Sequence, residues 1–165
     1  MPTEAARSLA AAVGDALRDS DEMVAVAESS TGGLLGSTLT DVPGSSSYFE
    51  RGLITYSNAT KTELLDVDPA TIDNEGAVSP ETARQMATGV RSRSGTDWGI
   101  STTGIAGPGG GTSHNPVGTV YIGIAGPIGD GETVSVNHYE FDGDRHENKA
   151  DFTRQALTDL LDALE

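Results

Sequence analysis

Three short apolar runs in this chain each break off into a turn of small and polar residues, with helical periodicity in the stretches between them. The turns are AESSTGG (27–33), TYSNATK (55–61) and TTGIAGPGGG (102–111). Strands that alternate with amphipathic helices bury a sheet under helices on both faces. In such sheets ligands bind in the crevice beyond the carboxyl ends of the strands, so the three turns are expected to converge.

Element by element, Ala5, Ala6, Leu9, Ala10, Val13 and Leu17 recur at helical spacing and predict a first helix over 3–18. Met23 to Ala27 read as a strand covered on both faces. A second helix is expected from Thr31 to about Thr40, stopped by Asp41, Val42, Pro43 and Gly44. A strand over Arg51 to Tyr56 leads into a helix opened by Asn58, and Pro69 begins another short turn of helix. Ser79-Pro80-Glu81 joins an N-cap serine, a first-turn proline and an acid near the positive helix end, launching a helix to about Ser94.

Trp98 to Thr103 and VGTVYIGIAG (117–126) have strand character. A hairpin turn over Pro127 to Gly131 returns the chain as an antiparallel strand, 132–141, and Asp144 caps a long last helix. The fold class is α/β: a three-layer α/β/α sandwich with a mixed, mostly parallel central sheet, in one domain over 1–165.

Composition removes several chemistries. Among the 165 residues there is no cysteine, which excludes disulfides, thiolate metal sites and a cysteine nucleophile. The 25 acidic and 10 basic side chains leave a net charge of −15, which repels polyphosphate surfaces and makes nucleic acid an unexpected partner. Only Lys61 and Lys149 are lysines, and so acidic, lysine-poor a surface suits a high-salt interior where counterions screen self-repulsion. No apolar run is long enough to cross a bilayer and the opening residues lack a signal-peptide pattern, so a cytoplasmic chain with no membrane partner is expected. His114, His138 and His146 show no metal-ligand spacing, and no metal is expected.

At the first turn, Ser29 and Ser30 precede Thr31, Gly32 and Gly33, whose N–H groups at a helix start could hold a phosphate or an oxyanion. Ordinary capping by Ser30 or Thr31 explains the same residues. At the second, Tyr56 ends a strand and Lys61 lies about one helical turn beyond Asn58, facing the same crevice. Lysine in an arginine-using chain suggests an amine that can lose its proton; the alternative is a solvated lysine paired with Glu63 or Asp66. The third turn lacks the GK[ST] ending of a phosphate-binding loop and leads into a strand, leaving a backbone-rich loop around phosphate or ribose, or a plain connection. Arg145 could clamp a phosphate or form a surface ion pair. Glu28 reads as a carboxylate that orients its neighbours.

At these residues the sequence resembles the CinA C-terminal domain family, also described as nicotinamide mononucleotide amidohydrolases. AESSTGG is similar to the family's AESCTGG; DVPGSSSYFERGLITYSNATK, EGAVSPETA, TTGIAGPGGG with NPVGTVYIG, and GDR follow its later blocks in order. The resemblance implies hydrolysis of the carboxamide of nicotinamide mononucleotide to nicotinic acid mononucleotide and ammonia, without a cofactor. It puts the nucleophile on Ser29, the lysine on Lys61 and the tyrosine on Tyr56, while the serine before GIAGP is Thr103 here and the usual cysteine is Ser30. Thr31, Gly32 and Gly33 would then supply oxyanion donors, and Gly104, Gly107 and Arg145 would hold ribose and phosphate. The family's sheet has one antiparallel strand, its members often form homodimers, and many carry a large N-terminal domain. This chain opens almost directly on its first helix, so a stand-alone version is expected. A catalytically silent nucleotide-binding or regulatory module is the alternative reading.

Overall fold

A computed structural model describes residues 2–165. All five expected strands join one sheet in the order β2-β1-β3-β4-β5: β1 (Val24–Glu28), β2 (Phe49–Ile54), β3 (Trp98–Gly104), β4 (Thr119–Ile128) and β5 (Gly131–Glu140). β1 pairs in parallel with both β2 and β3, whereas β3–β4 and β4–β5 are antiparallel. β4 alone therefore runs against the other four. The mixed, mostly parallel sheet is as expected.

Helices cover both faces. α1 (Glu4–Ser20), α2 (Leu34–Thr40) and α6 (Arg145–Leu164) pack on one side; α3 (Asn58–Leu65), α4 (Pro69–Glu75) and α5 (Pro80–Ser94) lie on the other. Alternation along β1 divides the core between them. Val24 and Val26 join Leu17, Leu35, Phe152 and Leu157, while Ala25 and Ala27 face Leu65, Met86 and Val90. All five residues of β1 are buried, as expected for a strand covered on both faces.

Caps set the helix starts. Thr3, Ser79 and Asp144 each accept a backbone N–H three residues on, and Glu147 answers the Asp144 amide to complete a capping box. Several boundaries depart from the expected ones. α1 runs on to Ser20, β2 stops at Ile54 before Tyr56, and α2 begins at Leu34 instead of Thr31. The hairpin turn is also tighter, because Ile128 already pairs with Gly131.

Register brings the site together. Glu28 at the end of β1 lies opposite Ile54, the end of β2, and Thr102 of β3, which runs two residues further to Gly104, so all three strands leave the sheet along one edge. The 105–118 connection and the 141–144 segment open on that edge too, since Gly104 pairs with Val120 and Thr119 with Glu140. Among the described residues no helix is long and apolar enough to cross a membrane.

Candidate active site

Ser29 is the first residue past β1, and its amide donates to Thr102 O at 3.0 Å, extending the ladder to β3 by one step. Beside it the Thr55 amide donates to Glu28 O at 2.8 Å, which aligns the exit of β2. Ser57 caps α3, and its first turn carries Lys61 back toward β1. The Lys61 Nζ donates to Ser29 Oγ at 3.0 Å, to Thr55 O at 2.7 Å and to Tyr56 O at 3.3 Å. Lys61 is 1% exposed and forms no ion pair among the described residues, so the alternative of a solvated lysine does not hold; Asp66 pairs with Arg93 instead.

Burial without a carboxylate partner disfavours the ammonium and lowers the Lys61 pKa to about 8. An ammonium has three hydrogens for these three acceptors. A neutral amine has two, and with both carbonyls satisfied its lone pair is left for the Ser29 hydroxyl. One lysine thus supplies both a donor state and an acceptor state toward the same oxygen.

The turn after Ser29 is organised from beneath. Glu28, 1% exposed, accepts from Thr31 Oγ1 at 2.6 Å, Gly33 N at 3.1 Å, Leu35 N at 2.9 Å and Gly36 N at 2.9 Å. This carboxylate occupies the start of α2 and explains its late onset, in the orienting role expected of Glu28. It also corrects the oxyanion assignment. Gly33 N–H is bound to Glu28 and Gly32 N–H to Ser29 O at 3.2 Å, while the Thr31 hydroxyl meets Thr102 Oγ1 at 2.8 Å. The amides of Ser30 and Thr31 are the two in this turn left without an acceptor among the described residues.

Ser29 and Lys61 open into a cleft of about 190 Å³ lined also by Ser30, Tyr56, Ala77, Val78, Thr103, Gly104, Ala106 and Arg145. Ser30 Oγ is buried there with no partner among the described residues. Tyr56 touches Lys61 through its carbonyl, not its phenol; the ring is 63% exposed and its hydroxyl accepts from Arg145 Nη2 at 3.4 Å. Arg145 also donates to Gly107 O at 2.7 Å, makes no ion pair among the described residues, and lines the cleft from the start of α6. Thr103 donates its hydroxyl to Ala77 O at 2.7 Å, away from Lys61.

Thr31, Gly32 and Gly33 line a neighbouring cleft instead, with Leu34, Ser37, His146, Lys149 and Ala150. Gly107 stands behind Arg145, and packing accounts for it: a Cβ there would meet Val117 at 2.4 Å, and its φ is +90°. Gly104 is similarly confined, with a Cβ only 2.4 Å from Thr119 O. Sequence reasoning missed Thr55, Ala77, Val78 and Ala106, which contribute carbonyls and apolar wall whatever their side-chain chemistry. No group of three or more acidic or histidine side chains able to hold a metal ion occurs among the described residues.

The fold and site define an α/β/α protein with a buried serine–lysine pair at the carboxyl edge of its parallel strands. The chain belongs to the CinA C-terminal domain family, which matches residues 6–164. It is 60% identical over 139 residues to a CinA-like protein of Chlorobaculum tepidum, covering 84% of this chain and 33% of that protein. It is 51% identical over 150 residues to a putative competence-damage inducible protein of Halothermothrix orenii, covering 91% and 36%. The chain therefore spans about a third of the length of these curated relatives. Among solved structures, the competence/damage inducible protein CihA of Agrobacterium tumefaciens superposes with a TM-score of 0.93 at 35% identity, covering 100% of this chain and 99% of that one. A CinA superfamily protein of Escherichia coli gives 0.89 at 31% identity, covering 94% and 88%.

Proposed function

We propose that this chain hydrolyses the carboxamide of nicotinamide mononucleotide to nicotinic acid mononucleotide and ammonia. The observation that carries the reading is the 3.0 Å contact between Ser29 Oγ and a buried Lys61 Nζ whose pKa is lowered to about 8. Serine at its ordinary pKa is a weak nucleophile, and a positioned base answers that deficiency. The substrate follows from the family resemblance, the chemistry from the pair.

In the forward step Ser29 Oγ bonds to the carboxamide carbon as its proton passes to neutral Lys61. The carbonyl oxygen becomes an oxyanion, for which the free amides of Ser30 and Thr31 are the available backbone donors. The carbon–nitrogen bond then breaks, the Lys61 ammonium returns the proton to the departing ammonia, and an ester on Ser29 remains. Water, deprotonated by Lys61, hydrolyses that ester to the carboxylate and restores the serine. Every step uses protein groups and water, so no cofactor enters.

The test is direct. Purified protein in molar salt is given nicotinamide mononucleotide and released ammonia is measured, with Ser29→Ala as control. Turnover lost in Ser29→Ala with mononucleotide binding retained supports the reading. Binding without ammonia release by the wild type would overturn it in favour of a silent nucleotide-binding module.

A further inference from the structure

We infer that Asn115, its side chain set by Tyr121 of β4, is a positioning residue for the proposed reaction: it holds the 77–78 wall of the cleft that Ser29 and Lys61 share. The inference rests on the amidase reading for what the positioned groups do, and on hydrogen bonds alone for the positioning.

That wall is fixed by side chains from elsewhere. Residues 76–78 link α4 to α5, and Ala77 and Val78 line the cleft. Among the described residues no backbone amide donates to the carbonyls of Gly76, Ala77 or Val78. Thr82 of α5 donates its hydroxyl to Gly76 O at 2.7 Å, and Thr103 of β3 donates to Ala77 O at 2.7 Å. Asn115 completes the set, donating from Nδ2 to Val78 O at 2.9 Å. The first tie is local to the start of α5 and the second comes from the sheet. The third binds the wall to the 105–118 connection, which opens on the same edge.

The Asn115 amide is free for this task. The tight turn around it is closed by other atoms: Thr112 N–H donates to Asn115 O at 2.8 Å and Asn115 N–H to Thr112 Oγ1 at 2.9 Å. Its orientation is fixed as well. The Tyr121 hydroxyl donates to Asn115 Oδ1 at 3.0 Å, which leaves Nδ2 as the atom facing Val78 O. A flipped amide would set Oδ1 against Val78 O with no hydrogen between them. Tyr121 is itself buried beside Thr103 in the sheet, and its ring stacks on His138 of β5 with centroids 4.7 Å apart. The tie from strand to wall thus passes through two side chains in series.

Holding the wall serves the chemistry in two ways. A cleft of about 190 Å³ leaves little slack, and a displacement of about 1 Å is enough to cost a factor of about 10² in a reaction that depends on alignment. The same wall keeps water from Lys61, whose Nζ reaches Ser29 while the residue stays 1% exposed. A loosened wall would hydrate the amine and let its pKa return toward 10.5.

The chain's two lysines, Lys61 and Lys149, make this measurable. Carbon-13 labelling of lysine gives two Cε resonances, and the one missing from Lys61→Met is that of Lys61. The full chain is titrated as wild type, Asn115→Ala and Tyr121→Phe. Tyr121→Phe removes a single oxygen and keeps the ring stack, so it decides the matter if Asn115→Ala does not fold. Neither substitution alters a carboxylate or a cation, and Tyr56 and Arg145, the other titratable side chains lining the cleft, stay as they are. The Lys61 midpoint is expected to rise from about 8 in both variants, and kcat for ammonia release to fall about tenfold to a hundredfold with KM changed less. Folded variants that keep the wild-type midpoint, or that release ammonia with kcat unchanged, would overturn the positioning role and leave the amidase reading untouched; a lower denaturation temperature with both readouts unmoved counts the same way. A raised midpoint with no ammonia release from any chain, wild type included, would overturn the amidase reading and leave Asn115 as the anchor of the wall.

Discussion

Because Lys61 must be neutral to take a proton from Ser29, its pKa of about 8 sets the pH response of the proposed reaction. Below pH 8 kcat/KM should rise about tenfold per unit and then level, measured as initial ammonia release across pH 6 to 10. Lys61→Arg keeps the charge and removes the base, so activity should fall by about 10²–10⁴-fold; retained turnover would leave lysine an electrostatic role only. Stability carries the same signature. Between about 8 and its unperturbed 10.5 the unfolded chain holds the Lys61 proton and the folded chain does not, so this residue's contribution to folding grows as pH rises. Lys61→Met should remove that rise, seen as a flatter difference in denaturation midpoints from pH 8 to 10. Ser29 and Lys61 were legible because a small-residue turn and a scarce lysine are properties of side chains. The acceptors that orient Lys61 are the main-chain carbonyls of Thr55 and Tyr56, which any residue could supply, so no letter of the sequence marks them.

At the scale of elements, the strands and most helices were legible from apolar runs, caps and glycine or proline stops. The start of α2 was not. Thr31 looks like a cap, yet Glu28 reaches forward from β1 to bind Gly33, Leu35 and Gly36, and a carboxylate acting several residues away leaves no local pattern. Close packing between α3 and α5 was equally silent. A Cβ on Gly89 would come 1.9 Å from Leu65 O, at the end of the helix that carries Lys61. Alanine favours a helix over glycine by about 1 kcal/mol, but the clash forces the two helices apart. Gly89→Ala should therefore lower stability by about 1–3 kcal/mol in urea denaturation and reduce turnover, because Lys61 moves with α3.

Over the whole molecule, Glu28 and Asp159 are the buried acidic side chains among the described residues, so self-repulsion acts mainly across the surface of a chain with net charge −15. Screening should stabilise it: the melting temperature is expected to climb between about 0.1 M and 2 M salt, and a flat profile by calorimetry would remove the high-salt reading. The layered architecture was legible from the order of elements. Less legible was that one side of the reaction cleft comes from α6, since no pattern links Arg145 to Tyr56, 89 positions earlier. Ser29 and Lys61 lie in the first 61 residues, but Ser29 is held by Thr102 of β3 and the pair's cover, Arg145, belongs to α6. A polypeptide lacking α6 would lose the Arg145 cover together with Phe152, Ala156, Leu157 and Leu160 of the core, so closing the cleft and completing the core fall to one and the same helix.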